Sequence, residues 1–393
     1  MDIIIVSQYL RNIENLRENN SRFVYIAKKL SEDKNINVEI ITSDYNHSKK
    51  NHFENVDMLD KIKITVCHEP GYNKNVSIKR FISHYNLSKN IKKYLTQRKK
   101  PDMIYSAIPS LDVAKVCSNY CKKNDINFII DIQDLWPEAF KMVFNIPILS
   151  NILFFPMQNQ VNSIYKNADG IIAVSNTYLE RAKLVNNKSK FYETVYLGTS
   201  KQDFDKYFVK EKRETTNIKV VYIGSLAASY DLETVIDAIS EINYPIIFEI
   251  MGDGAYKEKF EKYAHKKKVN CNFTGKLEYS EMVKKLVNCD IAVNPIRKGS
   301  AGSIINKVND YAMAGLPVIN TQECLEYRNL LIEYNSGINC GCENVSDVKD
   351  ALLKLIENKP LRIEMGKNSR RMALNYFDRE KSYRVILNEI KNM

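Results

Sequence analysis

Two charged residues three positions apart, Lys307 and Asp310, could between them hold a phosphorylated ligand. They lie within residues 302–320, GSIINKVNDYAMAGLPVIN, where a small, flexible run leads into a short helix expected over 306–314 and a strand over 316–319. Gly315 stands where a helix C-terminus wants a left-handed residue, and Pro317 prevents the helix from continuing. The front of such a helix carries unpaired backbone N–H groups and the positive end of its dipole, so it attracts anions. The dipole disfavours a lysine in that first turn unless an anion sits nearby. Asp310, at i+3, shares the same side. A cation, free amides and a carboxylate within one turn suit a sugar nucleotide, with the diphosphate on Lys307 and the ribose hydroxyls on Asp310. The same spacing also fits an exposed Lys–Asp pair on an ordinary helix.

A second cluster occupies residues 129–140, IIDIQDLWPEAF. Asp131, Asp134 and Glu138 surround Trp136, the single tryptophan, at the end of an apolar strand. An α/β fold places its active site at such strand ends. The plainer alternative has Trp136 packing under a loop while Asp134 caps the next helix. Glycines close three further expected strands, at Gly224-Ser225, at Gly252 and Gly254, and at Gly275-Lys276-Leu277. They would let a ligand approach the backbone closely.

The elements that must hold these residues alternate. Strands are expected over 2–7, 37–42, 62–67, 103–106, 127–131 and 170–175, separated by helical patterns, and the pattern repeats from residue 219. Alternation of this kind argues for doubly wound parallel sheets. The 393 residues suffice for two such domains. We expect an N-terminal domain over 1–199, a polar linker over 200–217, a C-terminal domain over 218–375, and a final segment, 376–393, packing back on the first domain. The start MDIIIV runs straight into a strand, without the pattern of a signal peptide. Eight cysteines form no paired CxxC motifs and are expected to be reduced thiols rather than a zinc site or a disulfide framework.

The net charge is +11, and residues 70–101 contain no acidic side chain. Between Lys74 and Lys100, basic residues interleave with Phe81, Ile82, Tyr85, Leu87, Ile91 and Leu95 at roughly helical spacing. That pattern suits a helix lying on an anionic membrane surface, and equally a solvated face of a core helix. No signature of a nucleic-acid-binding module is present. Residues 144–157, FNIPILSNILFFPM, are apolar but too short to span a bilayer; they read as core or as an exposed flap.

The run Ser303, Asn306-Lys307, Asp310-Tyr311 and Ala314-Gly315-x-Pro317-Val318-Ile319 resembles the donor-site signature of retaining family-4 glycosyltransferases, closest to those building bacterial capsule and O-antigen. Asp134-Leu135-Trp136-Pro137-Glu138 resembles the same subgroup. The resemblance implies a GT-B architecture, two Rossmann-like domains facing each other across a cleft. It implies transfer from a nucleotide sugar, expected to be UDP-linked, to a polyprenyl-diphosphate-linked saccharide. It also implies a metal-independent enzyme without a bound cofactor, peripheral on the cytoplasmic face of the bacterial plasma membrane. Ser303, Asn306, Lys307 and Asp310 would bind the donor, Gly224-Ser225 would approach its phosphates, and Gly275-Lys276-Leu277 would read its base. Asp134, Lys307 and Glu138 are the catalytic candidates.

The chain also departs from the pattern. Asn19-Asn20 replaces the usual Gly-Gly, Gln133 a histidine, and Gly302 a glutamate; the loop LAASYD (226–231) lacks the Arg and Lys of many relatives, leaving Lys307, with Arg297 or Lys298, to carry that charge. A nucleotide-sugar 2-epimerase of the same fold and a partner-dependent, non-catalytic subunit are the rival readings. A two-domain solute-binding protein is a third, disfavoured by the missing export signal.

Overall fold

The computed structural model describes residues 1–10, 12–17, 19, 21–75, 77–143, 149–209, 217–300 and 302–393. It separates into two compact units, residues 1–195 with 383–393, and residues 196–382.

The first unit is built on seven strands: β1 (Asp2–Val6), β2 (Asn37–Ser43), β3 (Ile62–Cys67), β4 (Met103–Ile108), β5 (Asn127–Ile132), β6 (Gly170–Ala173) and β7 (Phe191–Thr194). They lie in the order β3-β2-β1-β4-β5-β6-β7 and every pair is parallel. A parallel sheet is covered on both faces, which is why its strands are continuous apolar runs; Ile3, Ile4 and Ile5 are all fully buried. Strand order reverses between β1 and β4, and a doubly wound sheet opens its ligand crevice at that point. The helix Ile78–Gln97 turns Arg80, His84, Leu87, Ile91 and Leu95 inward and leaves Ile78, Ile82 and Tyr85 exposed.

The second unit repeats the plan with β8 (Ile218–Ile223), β9 (Ile246–Met251), β10 (Cys271–Gly275), β11 (Ile291–Asn294), β12 (Val318–Asn320) and β13 (Gly337–Asn339). The order is β10-β9-β8-β11-β12-β13, again all parallel. Its reversal lies between β8 and β11.

The units divide at Val195 and not at 199, and the returning segment starts at Tyr383 and not at 376. The reason is packing: Phe377 is buried in the second core, while Tyr383, Ile386 and Ile390 are buried in the first. Much of the expected linker is also structured. Ser200 caps the helix Lys201–Asp205, accepting from the Asp203 amide at 3.2 Å, and Phe204 is fully buried in the second core. The rest of that linker, 210–216, lies outside the described residues, as do 144–148 of the apolar run. From Leu149 the latter is a helix to Lys166 that buries Phe154 and exposes Ile152, Leu153 and Phe155. All eight cysteines are free. Among the described residues no helix is long and apolar enough to cross a membrane.

Candidate functional site

In the second unit the site forms beside the sheet reversal. The helix is shorter than expected, Lys307–Met313, and Gly315 beyond it has φ +69°. Val308, Tyr311, Ala312 and Met313 are fully buried, and the Tyr311 hydroxyl accepts from the Ile223 amide at 2.8 Å, which fixes the helix to the end of β8. Lys307 is thereby drawn inward to 8% exposure. Its Nζ lies 3.9 Å from the Tyr222 ring centroid and 3.7 Å from that of Tyr230. The ring faces offset part of the lost hydration, at about 2 kcal/mol each for a desolvated cation. They accept no hydrogen bond, however, and the ammonium has no hydrogen-bond partner among the described residues. Burial holds the amine well below the usual lysine range. Gly224 is required here by its φ of +132°, and a Cβ there would lie 2.9 Å from the Lys307 Nζ.

Asp310 Oδ1 accepts from the Thr199 hydroxyl at 3.1 Å and the Tyr279 hydroxyl at 3.0 Å. Burial pushes the carboxyl up to about 6, against the lowering effect of those two bonds and of Arg379. In the ribose-binding role that the resemblance implies for Asp310, affinity for a UDP-sugar should fall as the pH drops through 6, where the carboxyl takes a proton and accepts ribose hydroxyls less well. Calorimetric titration at pH 5 and pH 7 tests this, and a pH step of unchanged size in Asp310→Asn would refute it. The sign for folding is opposite. The folded value lies above the usual ~3.9, so the native state holds this proton more tightly. The group's contribution to stability is full below pH 4 and lost as the pH rises through 6.

The other expected donor residues differ in what surrounds them. Gly252 and Gly254 are demanded by the backbone itself. A Cβ on the first would lie 1.8 Å from the Gly224 carbonyl oxygen, and on the second 2.3 Å from that of Leu226. Gly275, at φ +72°, has open space where its Cβ would be, and Lys276 beside it is exposed while Leu277 is half-buried. Ser225 is exposed, and its carbonyl accepts from the Tyr222 hydroxyl at 2.6 Å. Asn306 is exposed and makes no side-chain cap bond. The Ser303 carbonyl accepts from Gln322 Nε2 at 2.6 Å, and the fully buried Asn294 donates to Asn320 Oδ1 at 2.8 Å, so a buried amide network ties the loop before Lys307 to the strand ends. Arg297 is engaged by Glu233 at 2.6 Å and by Asp231 and Glu343, each at 3.4 Å; it is not a spare cation for a phosphate. The missed residues are Tyr222 and Tyr230. Their pairing around a lysine has no sequence signal, since a strand tyrosine reads as core.

In the first unit the three carboxylates of residues 129–140 separate into different roles. Asp131 is fully buried, accepting from Arg22 Nε at 2.7 Å, from Gln133 Nε2 at 2.5 Å and from the Tyr105 hydroxyl. Glu138 accepts from Arg181 Nε at 2.6 Å, so its carboxylate is committed to an ion pair. Asp134 has no cation on it among the described ion pairs. Its Oδ1 accepts from the Leu135 amide at 2.9 Å and its Oδ2 from the Trp136 indole at 3.2 Å. Burial raises its pKa. It faces a cavity of about 240 Å³ with Tyr9, His47, Arg80 and Trp136. Asn19 is buried with its Oδ1 accepting from the Ser21 amide, and Asn20 is outside the described residues. Nearby, Asp44, His52 and His68 bring three possible ligand atoms within 4.8 Å of one another, and His68 Nδ1 already pairs with Asp44 Oδ2 at 2.8 Å.

The fold is that of the GT-B glycosyltransferases. Sucrose-phosphate synthase (tll1590) from Thermosynechococcus elongatus superposes with a TM-score of 0.74 at 13% identity, covering 100% of this chain and 98% of that one. Alr3699/HepE of Anabaena, solved in complex with UDP, gives 0.71 at 14% identity with 100% of each chain covered. Residues 203–372 match the family model described as Glycosyl transferases group 1. In sequence, the uncharacterized glycosyltransferase MJ1178 of Methanocaldococcus jannaschii is 24% identical over 215 residues, 53% of this chain. That match spans little more than half of the relative, 56% of its length.

Proposed function

We propose that this chain is a retaining glycosyltransferase that moves a sugar from a UDP-linked donor to a polyprenyl-diphosphate-linked saccharide in bacterial surface-polysaccharide synthesis. The observation that carries this reading is the Lys307 ammonium, buried at the sheet reversal behind Gly224 with no hydrogen-bond partner among the described residues. A diphosphate supplies the acceptors it lacks. That HepE was solved with UDP and with UDP-glucose supports the choice of ligand class.

In the transfer, the bond between the donor's anomeric carbon and the β-phosphate oxygen breaks. A bond from that carbon to an acceptor hydroxyl oxygen forms. The nucleoside diphosphate leaves with one more negative charge, and the acceptor's proton goes to a leaving phosphate oxygen or to Asp134. Lys307 stabilises the developing charge more than the ground state, which is the condition for catalysis. Asp134 is the one carboxylate of its cluster free of an ion pair among the described residues, so it takes the acid/base role. Glu138 positions Arg181 instead.

Thermal unfolding of the full chain with UDP and GDP tests the reading. A nucleotide at 100 times its dissociation constant stabilises by about 2.7 kcal/mol, a shift of a few degrees. No response to either nucleotide would overturn the donor site.

The membrane face is proposed to be the outer side of the helix Ile78–Gln97. Ile78, Ile82 and Tyr85 are exposed there, and Lys89 lies 4.5 Å from the Tyr85 ring centroid. Sedimentation with vesicles containing anionic phospholipid should exceed that with neutral vesicles and fall several-fold in Ile82→Ser/Tyr85→Ser. Equal sedimentation with both vesicle types would leave this face as an ordinary surface.

A further inference from the structure

We propose that the first unit carries its own anion-binding site, built on Arg80, which seats a phosphate or carboxylate group of the acceptor. Arg80 stands in the first turn of the helix Ile78–Gln97 and is 8% exposed. It lines the 240 Å³ cavity that also contains Asp134. Its guanidinium carbon lies 4.7 Å from the Trp136 ring centroid, 5.6 Å from that of Tyr72 and 5.9 Å from that of Tyr9. Of the five N–H donors of a guanidinium, one goes to the Asn75 carbonyl at 2.8 Å and one to the Tyr9 hydroxyl at 3.0 Å, while Nε is buried without a partner.

The other inward-facing arginines among the described residues of the first unit show what a structural role requires. Arg22, the other buried one, is matched to Asp131, and the half-buried Arg98 and Arg181 are matched to Asp2 and Glu39 and to Glu138. Arg80 has no carboxylate in ion-pair contact among the described residues, although burying an unmatched cation is costly. Its surroundings carry both signs: the buried Glu69 lies near the same rings but is engaged by Gln8, Ser43 and Ser83. Lys50 Nζ lies 3.4 Å from His47 Nδ1 and 4.8 Å from the Tyr72 ring centroid. The buried His84, whose Nε2 meets the Tyr9 hydroxyl at 3.1 Å, is driven down to about 3 by burial and by the charge of Arg80, so it is neutral. Asp134 is the one acidic side chain lining the cavity, and Tyr9, Tyr45, Phe53 and Trp136 supply aromatic surface. A ligand that satisfies all of these has a hydroxyl for Asp134, an apolar sugar face for the rings and an anionic group for Arg80. A phosphate on the acceptor's carrier and the carboxylate of an acidic sugar share that chemistry. The inference rests on the transferase reading only for the use made of the ligand.

Binding can be measured without transfer. Calorimetric titrations of the full-length Lys307→Met variant, which disables the donor site, would use pyrophosphate, glucose 6-phosphate and glucuronate, with glucose as the neutral control. Anions should bind in preference to glucose, and adding Arg80→Gln should weaken them about ten- to a hundredfold. Preference for the phosphates assigns the site to the carrier, and preference for glucuronate to an acidic sugar. Ser48→Glu, at an exposed position on the cavity wall, leaves Arg80 in place and should weaken the same anions through a competing charge. This second variant decides the matter if Arg80→Gln fails to fold. Anions that bind no better than glucose, or equally well with and without these changes, would overturn the site. UDP titrated into the otherwise native Arg80→Gln chain should bind as before. Loss of UDP binding by the native chain would remove the donor reading and leave the Arg80 site standing.

Discussion

Lys307→Met should make the ligand-free protein more stable and abolish UDP binding at the same time. Methionine keeps the length and the apolar stem of lysine, so it fills the space between Tyr222 and Tyr230 without a cavity. It removes an ammonium that is buried with no acceptor among the described residues. The effective penalty of burying an unmatched ion is several kcal/mol, part of which the two rings return. A net gain of about 1–2 kcal/mol is therefore expected, or a few degrees in Tm for a unit of this size. UDP affinity should meanwhile fall at least about a hundredfold, the loss expected when two or more charge-assisted hydrogen bonds disappear. A purely structural lysine would behave in the opposite way, with stability lost and nucleotide binding untouched. Unfolding scans of the two proteins with and without UDP separate the cases. The same amine gives a pH signature. Burial holds it low in the free protein, and a bound diphosphate would raise it again. Above its depressed value UDP binding must take up a proton, so affinity declines with rising pH; Lys307→Met should show no such decline.

Much of this was legible in the sequence, and the rest failed for identifiable reasons. Parallel strands buried on both faces are continuous apolar runs, so both sheets could be read from stretches such as DIIIV and IKVVYI. Gly315 was legible because a left-handed residue after a helix nearly demands glycine. The carboxylates at 131, 134 and 138 could not be ranked, because their partners are remote: Arg22 is 109 residues from Asp131, and Arg181 is 43 from Glu138. Arg80 was hidden within an acid-free basic run whose other members mostly face solvent, and only the packing of its helix turns it inward. Gly252 and Gly254 were read as access for a ligand, and the close approach of the β8 loop demands them in its own right. Sequence shows that a glycine is needed more readily than it shows what the glycine must avoid.

The division of labour among those carboxylates yields the second large effect. Arg22→Met is expected to cost about 3–5 kcal/mol, the usual penalty for stripping the partner from a buried charge. Arg22 Nε meets Asp131 at 2.7 Å, its NH1 donates to the Val195 carbonyl at 2.9 Å, and its guanidinium carbon lies 4.7 Å from the Tyr383 ring centroid. One side chain thus joins the first helix, the end of β5, the chain after β7 and the returning C-terminal segment of the same unit. Its loss leaves Asp131 with Gln133 and Tyr105 alone, and the unit should unfold several degrees earlier. Asp134→Asn should do the reverse. The amide oxygen keeps the bond from the Leu135 amide, while the amide NH2 takes the place of the oxygen that met the Trp136 indole, so stability should fall by about 1 kcal/mol for that one lost bond. An amide cannot take the acceptor's proton, and kcat should drop by about 10²–10⁴-fold if Asp134 is the base. Full activity in Asp134→Asn would hand the proton to the leaving phosphate. Equal destabilisation by Asp131→Asn and Asp134→Asn would show that the separation of framework from chemistry drawn here is wrong.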